Sequence, residues 1–349
     1  MRLLVTGGAG FIGSSFARLA LGAGHAVTVL DALTYCGNLA NLDAARDHAG
    51  YRFVKGDIGD KALWPALLSD AALGAPFEAL VNFAAESHVD RSILDATPFV
   101  LTNVAGTQVI LDAVRAYGER NAGRAPRFLQ VSTDEVYGSA DDGKPFTEST
   151  PLKPNSPYAA SKAGADMLVA AYHHTFGLDT VITRCSNNYG PHQFPEKLIP
   201  LFTTNLFEGK LVPVYGDGKQ VRDWIHCDDH SRGVLAALER GASGAVYNLG
   251  GSNPAENLAI TKLLLKLTGR DESFIAHVKD RPGHDRKYLI DHGKATRELG
   301  WSPRVKFEDG LAETVRWYRE HEGWWRAIKS GEYLKYYERQ YGDRGGSGT

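Results

Sequence analysis

A tyrosine and a lysine four residues apart, Tyr158 and Lys162, stand in YAASKAGADMLVAAY, a run of good helix formers behind the start signal Asn155–Ser156–Pro157. An i,i+4 pair shares one face of a helix. A phenol ionises near pH ~10, so it serves as a base at neutral pH only where positive charge favours the phenolate. Bringing it near neutrality takes about 4 kcal/mol. The helical ammonium, aided by a cationic cofactor, is a source. Taken alone, the pair would be an ordinary surface Tyr and Lys.

Thr133, Asp134 and Glu135 in QVSTDEVYG add a second capability. A hydroxyl can hold a substrate oxygen, and two adjacent carboxyls can act as separate acid and base if their surroundings push their pKa values apart. By itself the dipeptide would be an acidic loop in solvent. Consecutive strand residues face opposite ways, so both acids reach one site only if the chain turns here. The apolar run from Phe128 to Val131 reads as a strand end, and Tyr137–Gly138 permits the turn.

The elements that position these groups alternate strand and helix. Arg2–Thr6 is a short apolar strand leading into TGGAGFIG, with Gly7, Gly10 and Gly13, and then into the helical pattern Ser14–Leu21. Such a turn needs glycine for positive φ, for close backbone approach to a pyrophosphate and for helix–strand packing, and the helix N-terminus holds the phosphates. Strand AVTVLD ends in Asp31, at the distance where an acid takes ribose hydroxyls and repels a 2′-phosphate, which favours NAD over NADP. Tyr51–Lys55 runs into Asp57, placed to meet an adenine, and Leu80–Phe83 runs into AAESHVDRS. There Ala84 and Ala85 let a cofactor approach the backbone and Ser87 can reach a substrate. Glu86, His88, Asp90 and Arg91 are expected to form a polar network that fixes the loop.

Repeated units imply a Rossmann-type doubly wound parallel sheet with ligands at the C-terminal strand ends. Residues 1–186 are expected to form it, with about 221–250 returning to it. Residues 187–220 and 251–330 form a smaller, discontinuous α/β substrate lobe, and 331–349 is a low-complexity tail expected to fray. In that lobe Asn187, Asn188 and Lys197 can meet a ligand, and Tyr189–Gly190–Pro191 reads as a turn. Arg222 beside Tyr215 suits a base and a diphosphate, or else makes a plain salt bridge. Asn257 is a ligand contact or a helix N-cap, and Arg281 and His284 flank an anion-binding turn. Residues 97–117 read as one long amphipathic helix. With 158–176 it can present a face to another subunit.

His226–Cys227–Asp228–Asp229–His230 resembles a metal site, but a helix begins there and the acids read as its cap; His173–His174 lacks a third ligand, so no metal is expected. With 349 residues, 43% hydrophobic and 23% charged, the chain reads as a globule with ample core. A net charge of −2 gives no reason to expect nucleic acid or an anionic membrane. Cys36, Cys185 and Cys227 form no disulfide framework, MRLLVTGG shows no leader, and no apolar run approaches the roughly 20 residues of a membrane span. A cytoplasmic protein is expected.

With TGGAGFIG, STDEVYG, YAASK, CSNNYGPHQFPEKLIP, VRDWIH and DRPGHD in one order, the chain resembles the dTDP-glucose 4,6-dehydratases of the extended short-chain dehydrogenase superfamily, from residue 1 to about 325. The resemblance implies NAD bound through turnover and dTDP-glucose as substrate. Tyr158 would take the 4-hydroxyl proton, supported by Lys162 and Thr133. Asp134 would protonate the leaving 6-hydroxyl and Glu135 would be the base at C5. Phe11, Ile12, Asp31, Thr34, Asp57, Ile58, Thr102 and Asn188 match NAD contacts. Ser87, Asn187, Lys197, Leu198, Pro213, Tyr215, Arg222, Asn257, Arg281 and His284 match sugar-nucleotide contacts. Family members are usually homodimers through the two long helices. Cys36, His226–Cys227 and NPAEN depart from the usual pattern. Two other readings stay open: an epimerase or decarboxylase using the same Tyr and Lys, and a cofactor-binding regulator without turnover.

Overall fold

Short apolar runs become strands wherever helices can cover both of their faces. The computed structural model describes residues 1–140 and 143–330, and the tail from 331 lies outside them. The strands are β1 (Arg2–Thr6), β2 (Ala26–Asp31), β3 (Tyr51–Lys55), β4 (Ala79–Asn82), β5 (Arg127–Thr133), β6 (Thr180–Cys185), β7 (Asn187–Tyr189), β8 (Val212–Tyr215), β9 (Val221–His226), β10 (Val246–Leu249), β11 (Pro254–Glu256) and β12 (Ile275–Val278). Seven pair in parallel in the order β10-β6-β5-β4-β1-β2-β3. The order reverses between β1 and β4, and a crevice opens at the C-terminal ends there.

Leu3, Leu4 and Val5 are fully buried, as a parallel sheet covered on both faces requires. Leu3 and Val5 pack with Phe16 of helix Phe11–Gly22 and Val234 of helix Cys227–Arg240. Leu4 joins Ile110, Val114 and Val169 of helices Thr107–Arg120 and Pro157–Phe176 on the other face. Each such side chain contributes about 1.5–3 kcal/mol.

A second lobe has its own core of Ile199, Phe202, Trp224, Ile260, Leu264, Phe307 and Leu311 under the sheet β11-β9-β7. The chain re-enters the large sheet later than expected. β9 pairs with β7 and β11, so the return begins at Cys227 rather than near 221, with β10 the strand that joins β6. Helix Gly293–Leu299 also leaves the expected lobe: Ala295, Leu299 and Trp301 pack into the core around Leu3 and Val5. Asp229 holds that segment, accepting from the Arg304 and Val305 amides at 2.9 and 2.8 Å, while its carbonyl accepts from Trp301. The helix at 227 is therefore capped not by the acids but by His226, whose Nδ1 accepts from the Asp228 amide.

Three further local differences have physical causes. Residues 97–120 form an α turn (Thr97–Phe99), a π stretch (Val100–Gly106) and an α-helix (Thr107–Arg120) rather than one regular helix. Within the wide turn, the buried Asn103 side chain bonds both the amide and the carbonyl of Glu86 at 2.9 Å, and Thr107 Oγ1 bonds the Asn103 carbonyl. Tyr189 is the end of β7 and fully buried, not a turn residue. Asn257 is the first helical residue and not the N-cap, which is Glu256.

The chain passes between lobes at Ser186, at His226–Cys227 and at Gly250–Gly251, and again on either side of helix Gly293–Leu299. The first three passages lie against one another. Ser186 Oγ accepts from the Gly251 amide at 3.1 Å, and a Cβ on Gly251 would stand 1.8 Å from the Trp224 carbonyl oxygen.

Candidate active site

One cavity of about 420 Å3 lies at the C-terminal ends of the large sheet and beneath the second lobe. Every residue singled out above for the dinucleotide, the reacting groups and the sugar nucleotide lines it.

The dinucleotide end is made chiefly of backbone. Gly7 has φ 67°, and a Cβ there would meet the Ala84 amide nitrogen at 2.5 Å, while a Cβ on Gly13 would meet the Gly7 carbonyl at 2.3 Å. Gly10 differs. A Cβ there would meet only the Gly7 carbonyl, at 3.3 Å, so a side chain would fill the cradle before it disturbed the fold. Helix Phe11–Gly22 starts at Gly10 with no side-chain cap and no acid in its first turn, which leaves its N–H groups to an anion. Asp31 is buried at the tip of β2 and accepts from Ala9 and Leu33 amides at 2.9 and 2.8 Å. Each oxygen keeps a lone pair for a ribose hydroxyl. These residues fit NAD.

Strand β5 runs two residues further than the sequence suggests, to Thr133, and Asp134–Tyr137 then forms a 3₁₀ turn. Thr133 Oγ1 accepts from the Glu135 amide at 3.3 Å and donates to Asp134 Oδ1 at 3.4 Å. The turn removes the strand alternation that would have sent the acids to opposite faces, and both line the cavity beside Tyr158.

Their surroundings differ. Asp134 is 1% exposed, and burial pushes its carboxyl well above the usual range; Glu135 and Asp223 push the same way, and Arg222 opposes them. Burial also raises Glu135, but Arg281, Lys197 and Arg222 all pull it back. Both carboxyls are raised, and Asp134 is pushed further toward its protonated form than Glu135. Asp134 Oδ2 has no partner among the described residues.

Of the two sources of positive charge expected for Tyr158, the lysine and a bound cofactor, the protein itself supplies only the first, and not by direct contact. Burial drives the phenol well above its ordinary value, and Glu135 adds to that. Lys162 Nζ donates instead to the Val131 carbonyl at 2.7 Å, and its own pKa is lowered by burial, with Asp166 opposing. Asp166 is in turn ion-paired with Arg184 at 2.9 Å, a buried pair beneath the lysine. Cationic charge at the cavity face of Tyr158 must come from a bound group.

At the other end three cations converge. Lys197 Nζ donates to the Ser87 carbonyl at 2.7 Å, and Arg281 lies 3.4 Å from Asp90, which also accepts from Tyr215. Arg222 forms no carboxylate bridge of the kind the sequence left open. It donates to the Val221 and Asp285 carbonyls and lies 4.1 Å over the Tyr288 ring. His284 is lowered to about 4 by burial and by Arg281, so it is neutral at pH 7. Asn257 Oδ1 and Arg281 Nε are buried with no hydrogen-bond partner among the described residues, as groups waiting on a ligand would be. Asn187, Leu198 and Pro213 complete this wall, and Asn188 Oδ1 is held by His230 Nδ1 at 2.9 Å.

Sequence reasoning did not single out Asp223, Tyr288 or Glu196. Tyr288 and Glu196 line the cavity, and Asp223 acts on Asp134 from behind. Asp223 adjoins Arg222 in VRDWIH, Glu196 adjoins Lys197 in FPEKLIP and Tyr288 follows DRPGHD by three residues, so each stands beside a segment already matched to the ligand. His226, Cys227 and Asp228 have ligand atoms within 4.8 Å of one another, in the cap described above.

Residues 4–314 match the family model described as GDP-mannose 4,6 dehydratase. The chain is 51% identical over 336 residues to the dTDP-glucose 4,6-dehydratase of Streptomyces niveus, covering 95% of this chain and 96% of the relative. Among solved structures it is similar to DesIV, the dTDP-glucose 4,6-dehydratase of Streptomyces venezuelae, solved with NAD and dTDP. The TM-score is 0.89 at 52% identity, covering 94% of this chain and all of that one. The dTDP-glucose 4,6-dehydratase of Bacillus anthracis in complex with NAD gives 0.86 at 46% identity, with coverage of 94% and 100%.

Proposed function

The chain belongs to the dTDP-glucose 4,6-dehydratases of the extended short-chain dehydrogenase superfamily, and from that premise we propose how its own residues carry out the reaction. It is an NAD-dependent hydro-lyase that converts dTDP-glucose to dTDP-4-keto-6-deoxyglucose. The observation that carries this reading is the carboxyl pair, turned into a single cavity beside a phenol and set in unlike surroundings.

Gly7, Gly10, Gly13, Asp31 and the N-terminus of helix Phe11–Gly22 hold the dinucleotide, with Thr34, Asp57, Ile58 and Thr102 along its adenosine half and Asn188 toward its nicotinamide. Bound NAD supplies the acceptor for the C4 hydride and the donor that returns it to C6. Tyr158 takes the 4-hydroxyl proton while Thr133 holds that oxygen and Lys162 supplies the nearest fixed positive charge. The C4 ketone acidifies C5. Ionised Glu135 then removes the C5 proton as protonated Asp134 donates to the C6 oxygen, and water leaves. Glu135 returns its proton to C5, and the proton taken up by Tyr158 makes good the one that Asp134 gave to water, so that the site ends as it began. Arg222, Arg281 and Lys197 neutralise the diphosphate, and Asn257 and Tyr215 line the nucleoside end.

We read residues 1–186 with 227–250 as the cofactor domain and 187–226 with 251–330 as the substrate lobe, apart from the helix that packs back at 293–299. The protein works as a homodimer through residues 97–117 and 158–176: Val100, Leu101, Met167 and Phe176 are 50–62% exposed on those elements. A cytoplasmic setting agrees with its free cysteines. Among the described residues no helix is long and apolar enough to cross a membrane. Incubation with dTDP-glucose should give an alkali-induced 4-keto chromophore and a product lighter by one water. A product of unchanged mass would instead mark a 4-epimerase, in which the two acids stand idle.

A further inference from the structure

Three loops far apart in sequence meet at one buried carboxylate. The first, 32–37, follows β2 and carries Thr34; the second, 85–91, follows β4; the third, 193–197, belongs to the second lobe and ends in Lys197. Glu196 is 5% exposed and lies between them. Its Oε1 accepts from the Tyr35 hydroxyl at 3.0 Å and from the Cys36 thiol at 3.8 Å, and its Oε2 lies 3.6 Å from Arg91 Nε. The Arg91 guanidinium lies 3.8 Å over the Tyr35 ring, and Phe194 meets that ring edge-on at 5.5 Å. The Glu196 carbonyl is 3.4 Å from His88 Nε2, and the neighbouring Lys197 ties the third loop to the second through the Ser87 carbonyl.

We propose that Glu196 is a positioning residue: its carboxylate clasps the second lobe to the two loops flanking the dinucleotide and so keeps NAD in place from one turnover to the next. This rests on the cavity holding a dinucleotide, as read above. The argument is one of placement and desolvation. The clasped loops carry Thr34 on one side and Ala85 and Ser87 on the other, all of them lining the cavity. For the loops to part, Glu196 and Arg91 would have to separate and a buried phenol would lose its acceptor. The firm tie is the 3.0 Å hydrogen bond from Tyr35, with the Arg91 guanidinium adding charge at 3.6 Å, and removing the carboxylate would leave that half-buried guanidinium without its counter-charge. A cofactor restored to its starting form within each cycle has no reason to leave, and a latch across its exit costs the reaction nothing.

The clasp also explains why the loop at 85–91 is so polar. Of the four residues expected to form a network there, His88 and Arg91 reach Glu196, Asp90 pairs with Arg281 and Tyr215, and the Glu86 backbone is held by Asn103, so the centre that His88 and Arg91 share lies outside that segment. It is the glutamate of FPEKLIP, about a hundred residues further on.

The test uses the full-length protein with Glu196→Gln and Tyr35→Phe. NAD carried through purification is measured, then NAD dissociation rate and Kd on stripped protein, with no sugar nucleotide present. Glu196→Gln should hold NAD at least about tenfold more weakly and lose it faster, the order expected for one charge-assisted contact. Tyr35→Phe, which keeps the ring and its stacking, should weaken NAD by about threefold. Saturating NAD should recover most of the lost turnover, and the KM for dTDP-glucose should move less than about twofold. Cofactor content and off-rate equal to the parent's would overturn the proposal. So would a lowered melting temperature with unchanged NAD affinity, or lost turnover that added NAD fails to recover. Conversion of dTDP-glucose by the parent protein is assayed separately, so failure of the catalytic reading is not mistaken for failure of the clasp.

Discussion

The two ends of the cavity are built on different plans. The dinucleotide end is a backbone device of glycines, one helix terminus and a carboxylate already satisfied by two amides. The reacting end is a side-chain device, in which buried acids, a phenol and three cations come from segments as distant as 133–135, 158, 197, 222 and 281. The first has its shape set by the backbone, with the uncapped helix N–H groups left for an anion. The second is held in tension, with Asp134 Oδ2, Asn257 Oδ1 and Arg281 Nε lacking partners among the described residues. Binding can thus be fixed by local geometry, whereas reactivity needs charges that the fold brings together at some cost to its stability.

The contrast is broken most sharply at Glu135. Glu135→Gln should lower product formation by about 10²–10⁴-fold. Oxidation at C4 should persist, seen as slow reduction of NAD on adding dTDP-glucose. Normal turnover by this variant would remove the base assignment. At the backbone end, Gly7→Ala forces a Cβ to 2.5 Å from the Ala84 amide at a positive φ. It should cost about 2–4 kcal/mol in chemical denaturation and lose NAD together with stability.

A subtler test compares activity with stability at one site. Asp134 has its folded pKa raised above its unfolded value, so its contribution to stability is full below the unfolded value and is lost as pH rises through the folded one. Asp134→Asn lacks that loss. It should abolish water elimination yet be more stable than the parent by about 0.5–2 kcal/mol at neutral pH. The advantage should vanish below about pH 4, as followed by melting temperature against pH. The smallest effect is expected at Asp223, whose negative charge helps keep Asp134 protonated. Turnover should rise with pH as Glu135 ionises and fall as Asp134 does. Asp223→Asn should therefore move the alkaline limb to lower pH and leave the acid limb in place.

How much could be read from residues alone follows the same division. The glycine turn, Asp31 and the Tyr158–Lys162 spacing are local patterns with fixed geometric meaning, and they lead directly to the sheet order and the crevice. The carboxyl pair was visible as chemistry, but not its splitting, because the groups that split it, Asp223 and the cations at 197, 222 and 281, arrive through the fold. The regular helix expected over 97–117 failed for a related reason: Asn103 serves Glu86 on another loop, and hydropathy periodicity cannot register that demand. His226 was passed over as a cap because acids stood beside it, and the true use of Asp229 lies some seventy-five residues away at 304–305.

Three passages between the lobes are pressed together at Ser186, His226–Cys227 and Gly250–Gly251, and the chain crosses again on either side of helix Gly293–Leu299, where Asp229 holds Arg304 and Val305. Lobes tied by several threads cannot gape like a clamshell hinged on one. Room for a sugar nucleotide must come from small displacements, and loosening any of these ties should quicken its arrival and departure.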